Sequence, residues 1–112
     1  MANKYNAIRT EIDGLKFDSK KEAERYQELK LMQMGGLIRN LRHHHIFTIE
    51  LKNQEDKWEE LCTYKSDFDY HDNEKKKYVV EDVKSPPTRK LPIYRLKKKL
   101  MQMVLGIVIT ET

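Results

Sequence analysis

This sequence predicts an α/β fold, with helices packed on a small mixed sheet. Two observations carry that expectation. Between Phe47 and Lys84 the chain runs in stretches of period two, apolar residues alternating with polar ones. On either side lie stretches with apolar residues three and four apart, each with its own start and stop residues. The coarse order is helix, three strands, helix, strand. A chain of 112 residues has room for one compact domain, 1–112, with a single modest core.

The elements follow in order. In "IRTEIDGLKF" the pair Asp13-Gly14 separates two short alternating runs, which makes a hairpin or tight turn. Residues 1–17 are thus an N-terminal arm and hairpin. In "FDSKKEAERYQELKLMQMGG" Asp18 or Ser19 caps a helix, and Ser19-x-x-Glu22 has the form of a capping box. Ala23, Tyr26, Leu29 and Met32 or Met34 give its apolar stripe, and Gly35-Gly36 ends it. The first strand spans "LIRNLRHHHIFTIEL", with Phe47, Ile49 and Leu51 on the buried side. The second, "LCTYKSDFDY", places Cys62, Tyr64, Ser66, Phe68 and Tyr70 on one face and Asp67 and Asp69 on the other. A charged turn, "HDNEKKK", leads to the third, "YVVEDVKS". There Val79, Glu81 and Val83 face one way, and Val80, Asp82 and Lys84 the other. Pro92 suits the first turn of a second helix, whose expected stripe is Ile93, Leu96, Leu100, Met103 and Val104, closed by Gly106. "IVIT" is a last strand, entered by a crossover.

Composition narrows the class. Charged residues make up 36 % and hydrophobic ones 38 %, and because the apolar residues cluster with clear periods the chain reads as folded, with a heavily solvated surface. The net charge of +4 favours a polyanionic partner. Cys62 is the single cysteine, so no internal disulfide forms and a reducing compartment fits. The longest apolar run, near "LMQMVLGIVI", is broken by Gln102 and Gly106 and is too short to span a bilayer, and "MANKYNAIRTE" lacks an apolar signal core. The expectation is a cytoplasmic protein without a membrane partner.

Charges within strands are costly unless paired or metal-bound. Asp82 and Lys84, two apart in a strand, leave the same face about 7 Å from each other. A hairpin through "HDNEKKK" brings Asp67 near Asp82. Two converging carboxylates repel, and a hard divalent cation relieves that repulsion; Mg²⁺ suits one or two carboxylates plus water and phosphate. A lysine beside it orients a water or stabilises charge on a phosphate. These are the parts of metal-assisted phosphodiester hydrolysis.

Asp67 followed about fifteen residues later by Asp82-Val83-Lys84, on consecutive strands of such a chain, resembles the PD-(D/E)XK nuclease superfamily. "KYN", "DGLKFDSKKEAERY", "SDFDY" and "VVEDVKS" carry a likeness to a small, mostly phage-encoded endonuclease family within it, related to Holliday junction resolvases. The resemblance implies a restriction-endonuclease-like core of order α-β-β-β-α-β. It implies that Asp67 and Asp82 bind Mg²⁺ (Mn²⁺ substituting), with the Val83 carbonyl completing the shell, Lys84 as catalytic lysine and Glu22 assisting from the first helix. Tyr94, Lys97 and Lys98 are the second helix's candidates beside the site. Ser66-Asp67 stands where the superfamily has Pro-Asp, which weakens the motif without removing it. Branched DNA as substrate and a homodimer with two sites are implied as well.

Plainer readings stand beside these. Glu22 serves a capping box alone, and Asp82 and Lys84 form a surface ion pair of little consequence. Asp69 is a solvated strand residue or a support behind the site rather than a ligand. His43 to His45 point to alternate faces of a strand and so make no compact metal site; they begin a strand or face nucleic acid. Cys62 belongs to the core. The loop "SPPTRK", with Arg89 and Lys90, and the helix residues Lys97 and Lys98 suit backbone phosphate contacts; Lys4, Tyr5 and Arg9 are weaker candidates. The competing function is an accessory nucleic-acid-binding module without catalysis, or a subunit active only in a larger phage or mobile-element complex.

Overall fold

The computed structural model describes residues 10–112; the arm carrying Lys4, Tyr5 and Arg9 lies outside them. Eight strands and three helices follow in the order β1 (Thr10–Ile12), β2 (Leu15–Phe17), α1 (Lys20–Met34), β3 (Ile38–His43), β4 (Ile46–Lys52), β5 (Trp58–Lys65), β6 (Phe68–Asp72), β7 (Lys77–Asp82), α2 (Pro86–Arg89), α3 (Pro92–Leu105) and β8 (Thr110–Glu111). The class is mixed α/β. The central sheet has the order β3-β6-β7-β8, antiparallel except for the parallel pair β7/β8, so it is mixed as well. Among the described residues no helix is long and apolar enough to cross a membrane.

Local chemistry sets the boundaries. Asp13 and Gly14 both have positive φ, 54° and 77°, the requirement of a tight two-residue hairpin turn between β1 and β2. The Ser19 hydroxyl accepts the Glu22 N–H at 3.1 Å and starts α1. Gly36, at φ 79°, ends it, with the Leu37 N–H reaching the Met32 carbonyl at 2.9 Å and the Gly36 N–H reaching that of Gln33.

The two long strands read from the sequence are each bent. His44 has φ of 57° and breaks β3 from β4; Ser66 and Asp67 break β5 from β6 opposite it. Pairing continues across the bend, where the His44 N–H reaches the Asp67 carbonyl and the Ser66 N–H that of His45. The distal half, β4/β5, forms its own two-stranded sheet.

The bend splits the core. Phe17, Ala23, Tyr26, Leu29, Ile38, Phe68 and Tyr70 pack α1 on one face of the central sheet, with Val79 and Val83 against them. Ile49, Tyr64, Val80, Met101 and Ile109 form the second cluster, beneath α3. Tyr64 and Phe68, expected on one face of a straight strand, therefore serve different clusters. Cys62 packs at the edge of the second, half-buried.

Two expectations need correction. On α3 the buried side is Met101, with Tyr94, Leu100 and Val104 against the core, whereas Ile93, Leu96 and Met103 are exposed. The helix is apolar on more than one side, so its sequence alone does not choose the buried stripe. The last strand is Thr110–Glu111 rather than 107–110: Glu81 pairs with Thr110, and Asp82 with Glu111.

Candidate functional site

The β6/β7 hairpin sets the geometry. Phe68 faces Glu81, so the next pair outward is Asp67 and Asp82. The Asp67 N–H donates to Asp82 Oδ1 at 3.0 Å, and the Val83 N–H donates to Asp67 Oδ2 at 2.7 Å. Each carboxylate is thus anchored through one oxygen by backbone next to the other. Lys84 Nζ lies 4.0 Å from Asp67 Oδ2 and 5.4 Å from the centre of the Tyr94 ring, a cation–π contact.

The second oxygen of Asp82 is the anomaly. Asp82 is fully buried, and its Oδ2 has no hydrogen-bond partner among the described residues. A buried lone carboxylate oxygen is costly. Burial raises the Asp82 pKa to about 6 although Lys84 opposes the shift. Burial also raises that of Asp67, again against the attraction of Lys84. Two carboxylates with elevated pKa beside a lysine, one with an orphaned oxygen, suit a hard divalent cation with oxygen ligands. An open groove of about 460 Å³ is lined by Ser19, Glu22, Asp67, Val83, Lys84 and Thr88. Asp82 does not line it.

Glu22 enters from the first turn of α1, nearly buried. Its Oε2 accepts the Asp18 N–H at 3.3 Å, a variant of the expected capping box. Its Oε1 lies 3.0 Å from His43 Nε2 and 2.8 Å from His44 Nε2. The sequence reading set these histidines on opposite faces. The positive φ of His44 turns it to the side of His43, and the two rings stack at 3.5 Å. Burial lowers the His43 pKa despite the nearby carboxylate.

The second helix and last strand add residues at the other side. Tyr94 OH donates to Glu111 Oε2 at 2.8 Å, and Lys98 Nζ lies 2.9 Å from Glu111 Oε1. Glu111 stands beside Asp82 in register and helps raise its pKa. It was missed in the sequence because the strand was placed three residues early; extending the run past Thr110 is the signal that finds it. Arg89 and Lys98 line a basic hollow with Arg95, Lys99 and Glu111. The Arg89 Nε also donates to the Lys84 carbonyl at 3.2 Å. Lys90 is exposed at the end of α2 and Lys97 is half-buried on α3; neither lines that hollow.

Two further acids buried in the central sheet, Glu81 and Asp69, have structural partners. Glu81, on the face opposite Asp82, is fully buried and paired with Arg25 of α1, with Tyr70 OH donating to it at 2.7 Å. Asp69 is not solvated: it is fully buried and held by Arg42 and Tyr78.

A model of the family described as "Protein of unknown function (DUF1064)" matches residues 2–107. Comparison with the curated proteins and with the solved structures found no match.

Proposed function

The chain belongs to this DUF1064 family, and from its own residues we propose that it is a metal-dependent DNA endonuclease of the PD-(D/E)XK type. The observation that carries the reading is the Asp67–Asp82 pair, buried, with an orphaned Asp82 oxygen and with Lys84 alongside. The arrangement of the core supports it too: β3, β6 and β7 run antiparallel, β8 adds in parallel, and helices pack on either side, a mixed α/β core that can host such a site.

In this reading Asp67, Asp82 and the Val83 carbonyl hold Mg²⁺, or Mn²⁺ in its place. When bound, the ion would supply Lewis acidity for a water and charge compensation at the phosphate. Lys84, steered by Asp67 and the Tyr94 ring, aligns the attacking water and stabilises the charge developing on the oxygens of the pentacovalent phosphate. Arg89 and Lys98 attract the flanking backbone phosphates. Lys90 and Lys97 add to that field more weakly. The substrate is branched DNA, as in phage replication or recombination within the bacterial cytoplasm, and the active form is a homodimer. Both follow from the resemblance.

Incubation of the protein with labelled four-way junction, flap and linear duplex DNA tests the reading. Cleavage in Mg²⁺ or Mn²⁺ that stops with EDTA is expected, with the junction cut fastest. Binding without cleavage in either metal transfers the case to an accessory module. Protons compete with the metal at Asp82, so Mg²⁺ affinity should fall about tenfold per pH unit below about pH 6. Calorimetric titration at pH 5, 6 and 7.5 checks this; an affinity unchanged with pH removes Asp82 from the ligands.

A further inference from the structure

We infer that Glu22, His43 and His44 form a second metal site, selective for a borderline divalent ion of the zinc and cobalt class. Glu22 also lines the groove beside Asp67, but the site takes no donor atom from the Asp67–Asp82 pair and does not depend on the nuclease reading. His43 Nε2, His44 Nε2 and a Glu22 oxygen all lie within 4.8 Å of one another. Bonds of about 2.1 Å to one ion, at tetrahedral or octahedral angles, place neighbouring donors roughly 3.0–3.4 Å apart. Of the two Glu22–histidine separations, 3.0 Å lies at the short end of that range and 2.8 Å about 0.2 Å below it, so a small opening of the cluster admits an ion.

The arrangement is built rather than incidental. Adjacent residues of a regular strand diverge, and only the left-handed backbone of His44 brings both rings to one oxygen. That conformation is uncommon for a residue with a side chain. His43 is wedged against Phe17 and Phe68, ring centres 4.6 and 5.5 Å away. Glu22 is fixed by the start of α1. The His44 side chain keeps 22 % of its surface exposed, which leaves an entry path and room for a water as a further ligand. Two imidazoles and one carboxylate favour zinc-class ions over Mg²⁺ or Ca²⁺. A bound ion would tie the start of α1 to the bend in the sheet.

Cobalt(II) titrated into the full, metal-free chain at neutral pH tests the assignment, read as visible ligand-field absorption. In a large excess of Mg²⁺, which occupies the Asp67–Asp82 pair if that site is real, one equivalent of Co²⁺ should still bind and give intense bands, and Zn²⁺ should displace it. His43→Phe keeps the ring packing and His44→Asn tolerates the left-handed backbone; each should weaken Co²⁺ binding at least about tenfold, while His71→Asn, at a β6 histidine outside the cluster, leaves it unchanged. Thermal melting by circular dichroism confirms that the variants fold, and Zn²⁺ should raise Tm in the wild type but not in the histidine variants. Absent Co²⁺ bands in the folded wild type, bands that persist in both cluster-histidine variants, or bands lost in His71→Asn would overturn the assignment. None of these outcomes depends on whether DNA is cut.

Discussion

Asp82→Asn is expected to stabilise the metal-free fold at pH 8 and to lower metal-dependent cleavage at least about a hundredfold. The two effects have one origin, the carboxylate held without a partner for its Oδ2. In the fold its pKa is about 6, against a usual 3.8. The folded state thus binds this proton more tightly than the unfolded chain, and stability falls as pH rises between about 4 and 6. The penalty is complete above about pH 6, on the order of 2–3 kcal/mol, and absent below about pH 4. Asparagine keeps the acceptor for the Asp67 N–H and carries no charge, so the penalty disappears. The same change removes a metal ligand. Loss of groups that merely orient ligands costs about 10–100-fold, so loss of a ligand costs at least the upper figure. Urea unfolding in EDTA at pH 4 and pH 8, beside cleavage rates at pH 8, checks both signs. An asparagine variant that is less stable than wild type at pH 8, yet cuts as fast, contradicts the account.

Arg25→Ala should destabilise the fold by about 3 kcal/mol, a drop in Tm of roughly 10–20 °C. Arg25 reaches from α1 through the first core cluster to Glu81, which is fully buried on β7. Contact with Glu81 raises the Arg25 pKa, and burial with the same carboxylate raises that of Tyr70. Truncating the arginine leaves a buried charge with hydroxyl partners alone, Tyr70 and Thr112. The estimate sits at the low end for a broken buried pair because the arginine side chain is 24 % exposed. Adding Glu81→Gln to Arg25→Ala removes the stranded charge, keeps an acceptor for Tyr70, and should restore a large part of the loss. If the second change deepens the loss instead, the stranded charge is not its cause.

The contrast between Glu81 and Asp82 was legible in the sequence. Period two in "VVEDVK" assigns them to opposite faces, and the turn before it brings Asp67 opposite Asp82. Asp13-Gly14, Ser19 and Gly35-Gly36 marked their turn and helix ends because each meets a local backbone requirement. The bend at His44 was not legible. A left-handed histidine is a tertiary outcome, and a straight strand was the default for "RHHHIF". His44 gathers itself and His43 on Glu22, and the same bend, with the break at Ser66 and Asp67 opposite it, separates Tyr64 from Phe68. On α3 the sequence offers overlapping apolar stripes, and the choice falls to packing around Met101 and the Tyr94–Glu111 hydrogen bond.

The most direct measurement is the cleavage rate of wild type and Lys84→Ala on the same labelled four-way junction in Mg²⁺, with junction binding measured alongside. Lys84 lies beside the Asp67 carboxylate and supplies none of the metal's oxygens, so the variant should still bind the junction. Its rate should fall about a hundred- to a thousandfold, the usual loss when one donor at a developing charge is removed. Equal rates for the two proteins, or no cutting by a folded wild type that binds the junction, would contradict the account.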